Sequence, residues 1–117
     1  MMLASVLTEG ISDTDAQASI MYMQSYVVPA LFEVCKSGLP DRANEFEKAM
    51  TAWSEKHRVI VATGESIVRK RAKQENTDVD SAFAARREAM VSELKALDPQ
   101  KKVERCDSLL KLTRAEI

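Results

Sequence analysis

Glycine and proline are scarce in this chain of 117 residues: there are three of each. So few breakers leave room for few turns, which excludes a fold of many short strands and favours a handful of long elements. Aromatic residues are scarce too, with one Trp, two Tyr and three Phe, so a core must be built mainly from Leu, Val, Ile, Met and Ala. Two cysteines are too few for a disulfide-dense miniature scaffold, and Cys35 and Cys106 lie too far apart in sequence for any local C-x-x-C metal motif. No apolar run approaches the roughly 18 residues of a membrane span, so none is expected. Charge is nearly balanced, with 17 Lys and Arg against 18 Asp and Glu. That balance removes the electrostatic case for nucleic acid or anionic lipid as a partner.

What is present reads as one ordinary globular domain. Hydrophobic residues are 45% and charged residues 30% of the chain, enough for a single core at this length. The charge is unevenly spread. Residues 1–40 hold four acids and one base, residues 41–74 five acids and eight bases, and the rest nine acids and eight bases. Only the middle segment can carry a basic face.

The pattern predicts an all-α fold, a four-helix antiparallel bundle with a long second helix. Residues 1–13 show no sustained periodicity and read as a loose tail, leaving 14–117 as a single helical domain. Met1 to Leu7 is apolar but has no basic front, and Glu9 interrupts it, so no complete signal peptide is legible. The chain then reads either as cytosolic or as a mature exported protein whose signal has been removed.

A first helix starts near Asp15, after the capping candidates Ser12 to Asp15, and runs to Lys36. Ile20, Met23, Val27, Leu31 and Val34 mark its apolar face, and Pro29 predicts a kink or break near Tyr26–Val28. Gly38 and Pro40 close it, with Gly38 expected in a left-handed cap. From Pro40 to Gln74 a single long helix is expected. Phe46, Met50, Trp53, His57, Ile60, Gly64, Ile67 and Arg71 follow alternating steps of three and four, a seam of about four heptads. A short strand over Val59–Gly64 competes with it. After a polar turn at 74–78, a third helix fits Val79–Leu97, with Val79, Phe83, Arg86, Met90, Leu94 and Leu97 on one face. Asp98 and Pro99 then cap and start a last helix to Thr113, facing inward with Val103, Cys106, Leu109 and Leu110.

Few residues carry chemistry. Cys35 and Cys106 both fall at inward positions. They are read as a disulfide tying the first helix to the last, which implies an oxidising compartment; the competing reading is two reduced core thiols in a cytosolic adaptor. His57 is the only histidine. It is read as structural, because a catalytic or metal-binding role needs partners that its own helix does not supply. Gly64 is read as a close-packing point, with a hinge as the rival. Arg69, Lys70, Arg71 and Lys73 form a basic cluster explained by the negative pole of a helix end. Met21, Tyr22, Met23 and Tyr26 are read as an adaptable apolar face for a protein partner. No catalytic, cofactor or metal residue is assigned.

Cys35 near the end of the first helix, Trp53 on the long helix and Cys106-Asp107-Ser108-Leu109-Leu110 on the last form a layout. It resembles small secreted or periplasmic bacterial helical proteins of uncharacterised function. The resemblance implies export and brings no known activity. The functional expectation is a non-enzymatic protein-interaction module, monomeric in preference to a homodimer. The alternative is a small metal-binding or hydrolytic enzyme centred on His57.

Overall fold

The computed structural model describes residues 12–115, so the expected tail lies outside the described residues but for its last two positions. Among the described residues there are five α-helices: α1 (Asp13–Gly38), α2 (Ala43–Lys56), α3 (Arg58–Gln74), α4 (Val79–Ala96) and α5 (Pro99–Ala115). A 3₁₀ turn, Pro40–Arg42, joins the first two. The all-helical expectation holds. The four-helix count does not, because the long second helix is interrupted.

The helix ends follow the capping residues. The Ser12 hydroxyl accepts from Asp15 N–H at 3.2 Å, and the Asp78 carboxylate accepts from Ser81 N–H at 3.2 Å. Asp98 does the same for Lys101 N–H at 2.9 Å, with Pro99 following as the first helical residue. At the end of α3, Asn76 takes φ 55°, and Thr77 N–H reaches back to Ala72 C=O at 2.8 Å. That is the left-handed closure a helix uses when glycine or asparagine follows its cap. Gly38 does not play this part. It stays inside α1 and outside the left-handed region, and Leu39 ends the helix by donating to Cys35 C=O at 2.9 Å. Helix α1 also runs unbroken through Pro29.

The interruption falls at His57, where the backbone moves to φ −99°, ψ 7°, the bridge region between helix and strand. The carbonyl of Trp53 there receives both the His57 backbone N–H at 3.1 Å and its ring Nδ1 at 2.8 Å. Residues 59–64 are helical, not a strand. Beyond the interruption the buried face lies one position later than the seam predicts. Val68 and Ala72 are buried with Gly64, while Ile67 and Arg71 are half-buried.

Helix α1 packs against every other helix. Phe46 meets the ring of Phe32 at 6.5 Å and Gly64 abuts Ala18, so α2 and α3 descend antiparallel to α1. Phe83 meets Tyr22 and Leu94 joins the Cys35 cluster, so α4 rises parallel to it. The disulfide Cys35–Cys106 sets α5 on the far end of α1. Both sulfurs are bonded, which sets aside the free-thiol reading.

Two apolar clusters result. One joins Tyr22, Val68, Ala72, Val79 and Phe83. The other joins Phe32, Cys35, Phe46, Leu94, Cys106 and Leu110. Three fully buried phenylalanines, Phe32, Phe46 and Phe83, each contribute roughly 1.5–3 kcal/mol of transfer free energy. The expected face of α1 missed Tyr22 and Phe32, because a helix covered on several sides has no single inward stripe.

Candidate interaction cleft

Helices α4 and α5 leave their connection at Leu97–Asp98 in different directions. Phe83 and Leu94 hold α4 down on α1. Helix α5 instead leans toward the start of α2, through Asp107 to Arg42 of the Pro40–Arg42 turn at 2.8 Å and Arg114 to Glu45 of α2 at 3.3 Å. A groove opens between them, floored by Val27, Val28 and Leu31 of α1. It holds two cavities. One, about 200 Å³, lies at the Cys35, Leu94 and Arg105 end. The other, about 180 Å³, lies at the Met23, Trp53 and Arg86 end. Both are lined by Leu31, Met90, Leu109 and Leu112, so the apolar surface is continuous. Leu112, 62% exposed, forms its lip.

Charge marks the two ends differently. Arg105 faces Glu93 at 3.7 Å. Arg86 has no ion-pair or hydrogen-bond partner among the described residues. The helical spacing had placed Arg86 on the inward face of its helix; it is exposed. A lone arginine in the apolar row Phe83, Met90, Leu94 was the one sequence signal for a groove edge here.

The four residues expected to face a partner are placed differently. Tyr22 is 5% exposed, inside the first cluster, and cannot serve as an outward contact. Met21, Met23 and Tyr26 are half-buried, with Met23 and Tyr26 packed on that cluster. Met23 alone of the four lines the groove.

The tyrosines are instead tied into a polar circuit across α1, α3 and α4. Arg69 Nη2 donates to Tyr22 Oη at 3.1 Å and Arg69 Nη1 to Asp80 at 3.2 Å. Tyr26 Oη donates to Asp80 at 2.8 Å and lies 3.2 Å from Tyr22 Oη. Arg69 Nε also bonds Glu65 at 2.8 Å. Burial, then the hydrogen bonds to Tyr22 and Asp80, push the Tyr26 phenol far above its usual range. The expected basic patch is thus partly neutralised. Arg69 is held by two acids and Arg71 lies 3.5 Å from Glu75, while Lys70 and Lys73 are exposed.

Arg69, then Tyr26, hold the Asp80 carboxyl below the usual carboxylate range. A depressed folded-state pKa gives stability that is present above the unfolded value near 4 and disappears as pH falls through the folded one. Urea unfolding at about pH 5 and about pH 2.5 should therefore show a smaller acid loss in Asp80→Asn than in the parent. Equal losses would show that the circuit does not couple to folding.

His57 is buried at 9% exposure, its ring 4.9 Å from that of Trp53. Its Nδ1 meets a carbonyl, which only accepts, so Nδ1 carries a hydrogen. Among the described residues no group of three or more His, Cys, Asp or Glu is placed to hold a metal ion. Nor is any helix among them long and apolar enough to cross a membrane. No family model, curated protein or solved structure matches the chain.

Proposed function

We propose that this protein is a non-enzymatic interaction module of the periplasm or the extracellular space, and that it holds its partner in the groove between α4 and α5. The observation that carries the reading is the continuous apolar groove with the exposed Leu112 at its lip. An exposed apolar patch framed by charged side chains is the usual mark of a protein-binding surface. The buried disulfide supports the compartment, because such bonds persist where thiols are not kept reduced. The His57 alternative needs acids or thiols converging on the ring, and among the described residues no group of three or more His, Cys, Asp or Glu is placed to hold a metal ion.

A photoreactive phenylalanine analogue at Leu112 tests the groove. Val59, 71% exposed on α3, is the control position. In the native compartment the Leu112 probe should give a discrete adduct that unlabelled parent protein competes away and Leu112→Asp protein does not. Equal labelling from both positions, or competition by Leu112→Asp, would overturn the proposal.

A further inference from the structure

The groove's dimensions and charge narrow what it takes. Resting on the reading of this groove as the docking site, we infer that its occupant is a short amphipathic helix of a partner protein, with an acidic residue at the end beside Arg86.

The floor on α1 runs from Met23 to Cys35, twelve helical rises and about 18 Å. Apolar anchors at i, i+4 and i+7 of an incoming helix span about 10.5 Å, which fits within that length. Leu31, Met90, Leu109 and Leu112 line both cavities, so a row of anchors passes from one to the other without meeting a polar barrier. The groove is open along its outer side, with Leu112 standing into solvent. That shape admits a helix laid across it and would leave much of a small molecule uncovered.

Charge sets the polarity of the occupant. The Arg105 end is answered by Glu93 at 3.7 Å. The Arg86 end carries a positive charge that no described residue answers. An Asp or Glu placed there by the incoming helix supplies the missing partner, whereas a Lys or Arg meets a like charge.

The test selects helical peptides about 16 residues long from a phage-displayed library on the intact, disulfide-bonded protein and on its Arg86→Glu and Leu112→Asp variants. Both substitutions are at exposed positions, and thermal melts confirm that the variants fold. Trp53, the chain's only tryptophan, lines the Arg86 end of the groove, so its fluorescence reports occupancy there.

The parent should enrich peptides with apolar anchors at i, i+4 and i+7 and an acid at one end. These should bind Arg86→Glu about tenfold more weakly, a loss of about 1.4 kcal/mol, and that variant should enrich peptides with a base in the acid's place. Peptides that bind Leu112→Asp as well as the parent would remove the groove from the binding site, and with it the proposed function. Peptides lost on Leu112→Asp but indifferent to Arg86→Glu would keep the groove and overturn the acidic polarity. Arg86-dependent quenching of Trp53 by laurate, with no peptide enriched, would assign the groove to a lipid and overturn the helix.

Discussion

Gly64→Ala should lower the melting temperature by about 10 °C, a net loss of about 2–3 kcal/mol. On an exposed helix the same change would gain about 1 kcal/mol of helix propensity. Here a Cβ would sit 1.9 Å from the carbonyl oxygen of Ala18 and 2.5 Å from its carbon, with Tyr22 Cβ at 3.0 Å. Two of those three atoms are backbone, so no rotamer change relieves the overlap. Helices α1 and α3 would have to part, loosening the cluster of Tyr22, Val68, Ala72 and Phe83 that forms beside this contact. Ala62→Gly, at an exposed position of the same helix, is the control and should show the propensity loss alone, about 1 kcal/mol. A melt in which Gly64→Ala matches or exceeds the parent would show that the two backbones do not meet there.

Removing the disulfide should have the larger effect. Cys35 and Cys106 are separated by 71 residues in sequence. The loop-entropy relation puts the stabilisation from closing such a loop at about 4 kcal/mol. Both residues are fully buried among Phe32, Phe46, Leu94 and Leu110, so alanines also leave an unfilled space. Cys35→Ala/Cys106→Ala should therefore shift the urea midpoint far below that of the oxidised parent. A loss under about 1 kcal/mol would mean that the unfolded chain gains little freedom when the bond is gone. Intact-mass alkylation of the denatured parent checks the bond itself: no label before reduction and two after it.

The parts of the fold that depend on local chemistry were legible in the sequence. Ser12 and Asp98 cap the helices as their side chains dictate, and Asn76 and the capping Asp78 both fall within the turn read at 74–78. Cys35 and Cys106 were paired from their inward positions alone. Gly64 was legible as a close-packing point, since a mid-helix glycine is otherwise a cost. What could not be read depends on competition between elements. The seam was uniform in spacing, and nothing in it showed that the His57 ring would take the Trp53 carbonyl and interrupt the helix. That interruption accompanies the shift of the buried face from Ile67 and Arg71 to Val68 and Ala72. Tyr22 looked like a surface aromatic because its helix was assumed to have one inward side. The groove was invisible for a related reason: it depends on how α5 sits against α1 and α2, through the Cys35–Cys106 bond and the Arg42–Asp107 and Glu45–Arg114 pairs, which no periodicity connects.

The bond between Cys35 and Cys106 also makes a covalent ring. Helices α2, α3 and α4 lie wholly inside it. So do the Pro40–Arg42 turn, the His57 joint and both connections flanking α4. A protease that cuts once at any of these places opens the ring without releasing a fragment. The two pieces stay tethered beside α1, and the packed core holds them in register. One bond thereby guards every connection between the described helices against the first cut.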